Sequence, residues 1–314
     1  MPIDFSDALV IGVSSRALFD LEAENKIFDE EGINKYREFQ EKNEDVPLGA
    51  GTAFYLVKSL LELNKQAKKR IVEVVVMSRN SPETGVRMLN SIDSYELDIT
   101  RVALSGGQPL APYIDAYGVN LFLSKDYKDV QAVIDSKVCA AAFIYAPPTN
   151  FNPSDNMVRI AFDADAVVFS DESEHRYKTE GLDSFQKYEK EHVNDPLNEG
   201  PFAKLLIKLS AIQEHLPTSK DDSPLRIAIV TARNAPSHMR VIKTLRKWKV
   251  HVDEAYFLGG LDKDKVLKAF GAHIFFDDQE THLDKASKEV PCGKVPYQTN
   301  SLLNKINEIS IVDK

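Results

Sequence analysis

Four short stretches in the second half of the chain carry side chains suited to phosphoryl and metal chemistry. Asp163-Ala164-Asp165 follows the apolar run Val158 to Phe162. Thr231 closes the run Arg226 to Val230, with Arg233 and Asn234 just beyond. Lys263 follows the glycine pair Gly259-Gly260, and Asp277-Asp278 closes the run His273 to Phe276. Carboxylates two residues apart can face one side of an extended segment, where they repel unless a cation offsets them. A hard divalent ion takes oxygen ligands, a lysine offsets the charge of a phosphate dianion, and a threonine hydroxyl can bond to a phosphoryl oxygen. Hydrolysis of a phosphate monoester is among the slowest uncatalysed reactions, so its catalyst must supply mainly charge and positioning. Taken singly, each stretch has a plainer reading: Asp-x-Asp as a solvated turn, the threonine as a helix cap, the lysine as a surface residue. All four occur in order, each at or shortly beyond the end of an apolar run, and that conjunction is what single stretches lack.

Those runs read as strands buried on both faces, because their apolarity is continuous rather than alternating. The first half has runs at Ala8 to Val13, Val72 to Met77, Val102 to Leu104 and Asn120 to Leu123; the second has Val158 to Phe162, Arg226 to Val230, Glu254 to Leu258 and His273 to Phe276. Helical spacing fills the gaps at Tyr55 to Leu63, Thr84 to Ile92, Phe202 to His215 and Ser237 to Trp248. The halves also repeat each other. An offset of 149 superposes Glu31, Gly32, Pro47, Leu48 and Gly51 on Glu180, Gly181, Pro196, Leu197 and Gly200; an offset of 153 superposes Gly106, Gly107, Ala116, Gly118 and Phe122 on Gly259, Gly260, Ala269, Gly271 and Phe275. The pattern predicts an α/β protein of two tandem open parallel sheets arising from an internal duplication. Residues 1–149 form one half and 150–314 the other, with the proline-rich stretch Pro147 to Pro153 between them. Ligands of such sheets sit beyond the carboxyl ends of the strands, where the four stretches fall.

The order of these motifs resembles the haloacid dehalogenase superfamily. Their wording resembles the cytosolic 5'-nucleotidase I family: Phe162-Asp163-Ala164-Asp165-Ala166-Val167-Val168-Phe169-Ser170-Asp171-Glu172-Ser173-Glu174, Val230-Thr231-Ala232-Arg233 and His273-Ile274-Phe275-Phe276-Asp277-Asp278-Gln279, with Ser14 to Phe19 and Val86 to Ile92 in the first half. The resemblance implies two haloacid-dehalogenase-like, Rossmann-like sheets with a small cap inserted at Ser170 to Glu199. It implies a phosphoric monoester hydrolase, a 5'-nucleotidase converting a nucleoside 5'-monophosphate to nucleoside and phosphate. In this reading Asp163 is the nucleophile that forms an aspartyl-phosphate and Asp165 is the general acid and base. Mg2+ is held by Asp163, the carbonyl of Asp165 and Asp277, with Asp278 a further partner, while Thr231 and Lys263 bind the phosphoryl group. Sequence alone does not choose among Lys263, Lys265 and Lys268; the family pattern points to Lys263. Arg233 has two readings, a capping or surface arginine and a phosphate or ribose contact. Phe185 and Tyr188 in the cap also have two, core packing and stacking on a base. The rivals are a phosphatase of the same superfamily acting on another small phosphomonoester and a nucleotide sensor without turnover.

Mapped onto the first half, Asp163, Asp165, Thr231 and Lys263 become Ser14, Arg16, Ser78 and Leu110, and Asp277-Asp278 becomes Ser124-Lys125. The first half is thus degenerate, without catalytic acids. Either it only packs against the second half, or Arg16, Arg79 and Asn80, with Ser14, Ser15 and Ser78, now bind an anion such as a nucleotide effector. The chain has 314 residues, a formal net charge of -9 and 28% charged residues. That balance argues against binding nucleic-acid polymers or anionic membrane. Two cysteines make no disulfide framework, no apolar stretch approaches the roughly 18 residues of a membrane span, and no leader pattern opens the chain. A cytoplasmic protein with a small-molecule partner is expected; base and sugar preference and homo-oligomerisation are left open.

Overall fold

The computed structural model describes residues 7–67, 69–149, 151, 153, 157–217 and 223–304. Asn150 and Asn152, in the linking stretch, lie outside them. Among the described residues twelve strands occur: β1 (Leu9–Val13), β2 (Phe19–Asp20), β3 (Gly49–Ala50), β4 (Val72–Ser78), β5 (Arg101–Leu104), β6 (Leu121–Ser124), β7 (Ala140–Ile144), β8 (Val158–Phe162), β9 (Leu225–Thr231), β10 (Glu254–Phe257), β11 (Ile274–Asp277) and β12 (Cys292–Lys294). Strands β2 and β3 pair alone; the other ten make one sheet in the order β10-β9-β8-β11-β12-β7-β6-β1-β4-β5. Every pairing in it is parallel except β7 with β12. The expected α/β architecture is present, and the two open sheets meet edge to edge along this antiparallel seam. Outward from the seam the strand order is the same on both sides.

The duplication is visible residue by residue. Leu9 pairs with Val72 and Val158 with Leu225; Ile11 pairs with Leu121 and Ile160 with Ile274; Val75 pairs with Arg101 and Ala228 with Glu254. These registers coincide at the offsets read from the sequence. Backbone irregularities coincide too: Glu96 and its counterpart Lys249 have φ of 53° and 58°, and Gly32 and Gly181 both have φ of 82°.

Both faces of the sheet are covered, and the central strands β1, β4, β8 and β9 are almost wholly buried. One apolar cluster runs from Leu9 through Phe162, Phe202 and Phe276 to Val295, so the halves share a core. A smaller cluster, including Leu267, Phe275, Leu283 and Cys292, packs beside β11 and β12. At the end of β8 the chain turns sharply through Ala164–Val168, where Ala166 takes φ of 58°. It then enters the helix Glu172–Glu191, broken at Gly181, in the segment expected to form the cap and called the cap below; the first half has the matching helices Glu22–Glu31 and Ile33–Lys42 about Gly32. The hairpin under the cap closes where Phe169 bridges Glu199.

Candidate active site

Three acids meet at the carboxyl ends of β8 and β11. Asp163 follows β8, and its backbone N–H donates to the Phe276 carbonyl at 2.8 Å, which ties it to β11. Asp277 ends β11 and Asp278 follows it. All three are buried, and each offers a carboxylate oxygen within 4.8 Å of the others. Lys263, the residue before the helix Asp264–Phe270, places Nζ 2.8 Å from Asp163 Oδ1 and 2.7 Å from Asp277 Oδ2. Of the three candidate lysines it is the buried one: Lys265 is exposed, and Lys268 is exposed and paired with Glu289.

The electrostatics follow from burial and crowding. Burial pushes the Asp163 carboxyl up to about 7; Lys263 opposes the push, and Asp277 and Asp165 add to it. Burial, with Asp277 and Asp163 as neighbours, also holds Asp278 well above the usual carboxylate range. Asp277 moves the other way: burial would raise it, but Lys263 and His282 outweigh that. The Asp278 side chain accepts a hydrogen bond from the Tyr297 hydroxyl on Oδ2, while its Oδ1 is buried without a hydrogen-bond partner. A buried carboxylate oxygen left unpaired beside two further acids is the donor set a hard divalent cation would complete. Such an ion would reverse the upward push on these acids.

Thr231, the last residue of β9, is buried, and its hydroxyl accepts the Arg233 backbone N–H at 3.2 Å. Asp165 turns to Arg233, whose guanidinium donates to both of its oxygens at 2.7 and 2.6 Å and to Glu189 at 2.6 Å. The Arg233 fork is therefore engaged by acids rather than turned out for phosphate or ribose. Phe185 is buried, with the Arg233 guanidinium 5.3 Å from its ring centre. Tyr188 lies under Arg176, 3.8 Å from ring centre to guanidinium, on the wall of a cavity of about 810 Å³ that Lys137, His175 and Tyr297 also line.

Sequence reasoning missed several members of this neighbourhood. His282 sets Nδ1 3.1 and 3.3 Å from the two Asp277 oxygens; a histidine one helical turn beyond an Asp-Asp pair was the available signal. Glu189 shares the inner face of the cap with Phe185, four residues earlier, a spacing that could have marked it. Glu174, which accepts from Gln279 Nε2 at 3.3 Å, and Tyr297 offered no signal of these contacts in their own surroundings.

The two arginines of the effector site expected in the first half are matched by acids. Arg16 and Lys125 both reach Glu22, and Arg79 donates to Asp129 at 2.7 and 2.9 Å and approaches Asp126 at 3.5 Å. Asn80 Oδ1 accepts from the Tyr36 hydroxyl, and the Ser15 and Ser78 hydroxyls bond to each other at 3.0 Å. The charge that would draw an anion there is largely neutralised in place.

The family model described as 5'-nucleotidase matches residues 1–302. The chain belongs to the 5'-nucleotidase family. Its similarity to human cytosolic 5'-nucleotidase 1B is 38% identity over 291 residues, covering 90% of this chain and 48% of that protein. The chain thus spans about half the length of that curated relative. Membership of the 5'-nucleotidase family accords with the resemblance carried by the Asp163, Thr231 and Asp277 motifs.

Proposed function

We propose that the chain is a Mg2+-dependent 5'-nucleotidase that hydrolyses a nucleoside 5'-monophosphate to nucleoside and phosphate. The observation that carries this reading is the convergence of buried Asp163, Asp277 and Asp278, with Lys263 between two of them, in a member of the 5'-nucleotidase family. Asp163, Asp277 and Asp278 would hold the ion, joined by the Asp165 carbonyl. Its charge would offset that of the substrate phosphate and of the acids around it.

The chain's own residues then divide the work. An Asp163 oxygen attacks phosphorus while the bond from phosphorus to the ribose 5'-oxygen breaks, and Asp165 delivers a proton to that leaving oxygen. Asp165 next takes a proton from the water that attacks the aspartyl-phosphate, releasing orthophosphate and regenerating Asp163. Lys263 and the Thr231 hydroxyl hold the phosphoryl oxygens. This two-step scheme is that of the haloacid dehalogenase superfamily. No helix of the described residues is long and apolar enough to cross a membrane, and the human relative is named cytosolic; a cytoplasmic setting with a small-molecule substrate follows from that likeness.

The test is phosphate release over a panel of nucleoside monophosphates and sugar phosphates, with and without EDTA. Release from nucleotides that EDTA stops and Asp163→Asn abolishes is the expected result. Preference for sugar phosphates would move the reading to another phosphomonoesterase. Nucleotide binding without release would make the chain a sensor.

A further inference from the structure

We infer that Arg233, braced from the cap by Glu189, is the positioning residue for Asp165, so that the acid and base of the proposed reaction is oriented only while the cap helix is seated. This rests on the role given to Asp165 above. Arg233 reaches Asp165 through two bonds, Nε to Oδ2 at 2.7 Å and Nη2 to Oδ1 at 2.6 Å. Two parallel bonds between planar groups impose one relative orientation, which a single bond does not. The remaining arm, Nη1, donates to Glu189 Oε2 at 2.6 Å, and Arg240 Nη1 donates to Glu189 Oε1 at 2.8 Å. The Arg233 and Glu189 side chains are 2% and 0% exposed, so water does not stand in for either partner. Orientation thus passes from the cap helix Glu172–Glu191 to the loop after β9 and on to the turn after β8.

The degenerate half indicates what the chain of charges is for. Arg16, Asn80 and Gln40 occupy the positions of Asp165, Arg233 and Glu189. All three members have changed together, leaving a neutral relay in which Gln40 Nε2 donates to the Tyr36 hydroxyl at 3.0 Å and that hydroxyl donates to Asn80 at 3.2 Å. Arg240, by contrast, keeps its counterpart: Arg87 is still present, buried and paired with Glu24 at 2.7 Å. The same backbone therefore stands without the ionic chain, and the half lacking the acid also lacks the groups that would aim it. A buried ion pair is in any case weak evidence of a role in stability.

The experiment compares kcat/KM of the full chain with Mg2+ on a nucleoside monophosphate and on p-nitrophenyl phosphate. Nitrophenolate departs without a proton, so only the nucleotide draws on Asp165 to break its bond, and kcat/KM excludes the later hydrolysis of the aspartyl-phosphate. Arg233→Lys, which keeps the charge but loses the fork, should lower the nucleotide value at least about tenfold more than the nitrophenyl value. Glu189→Gln should show the same selectivity and carries the test if thermal melts show Arg233→Lys to be unfolded. Adding Arg233→Lys to Asp165→Asn should give no further loss. Equal losses on both substrates, or a full further loss on the Asp165→Asn background, would overturn the inference. Wild-type protein releasing no phosphate, or Asp165→Asn as active as wild type, would instead overturn the reading of the site.

Discussion

Lys263 sits between two carboxylates that water does not reach, so its ammonium holds them together and, in the proposed reaction, would also meet a phosphoryl oxygen. Lys263→Ala leaves Asp163 and Asp277 facing each other, and breaking a buried pair in this way costs about 3–5 kcal/mol. The expected outcome is a denaturation midpoint lowered accordingly in EDTA, a gap that narrows when Mg2+ is added, and activity down by about 10²–10³. A variant as stable as wild type in EDTA would contradict the crowding of acids. Cys139 gives a prediction away from the site. Burial pushes its thiol up to about 12, so at pH 8 its thiolate population is on the order of a thousandfold below that of a free cysteine. Alkylation of native protein, followed by mass spectrometry, should be slow at pH 8 and rise about tenfold per pH unit from 8 to 10. Fast native labelling at pH 8 would place the thiol in solvent.

At the scale of the element, the proposed reaction requires the turn after β8 to stay in place, because it carries Asp165 on a backbone that Ala166 bends through φ of 58°. Gly200 supports it from below. A Cβ there would lie 2.3 Å from the Phe169 carbonyl oxygen and 2.6 Å from that of Val167, both backbone atoms that cannot rotate aside. Gly51, its counterpart, meets the Ala17 carbonyl oxygen at 2.6 Å. Gly200→Ala should destabilise the chain by at least about 1–3 kcal/mol and lower turnover through the displaced turn. The same change at Gly51 should destabilise comparably, while any surviving folded protein keeps more of its activity. Thermal melts and phosphate release on both variants check this, and equal loss of activity would speak against a local effect at Asp165.

At the scale of the molecule, the halves are joined by more than the link between them. Strand β7 pairs with β12, the Tyr145 backbone N–H donates to the Cys292 carbonyl at 3.1 Å, and the Thr299 backbone N–H donates to Asp135 at 2.7 Å. With a shared apolar core, neither half can unfold without exposing the other. Calorimetry should show one transition with van't Hoff and calorimetric enthalpies in agreement. Two separated transitions would mean the seam is weak. Tyr297 belongs to the same stretch after β12: its carbonyl accepts from Gln131 of the first half while its hydroxyl bonds Asp278. The first half thereby holds a residue of the candidate site in place.

The amino-acid order alone determined the duplication, the α/β class and the acids at the ends of β8 and β11. These depend on local signals, namely continuous apolar runs, turn glycines and side chains placed directly after a strand. Only tertiary structure decided that the two sheets fuse, since the seam is made by an alanine-rich segment, Ala140–Ile144, and a three-residue strand, Cys292–Lys294, neither long enough to show a period. It alone also revealed the partners of Asp165, Asp277 and Asp278. Glu189, His282 and Tyr297 lie on separate elements, and what makes each matter is a contact across space that their neighbours in the chain do not encode.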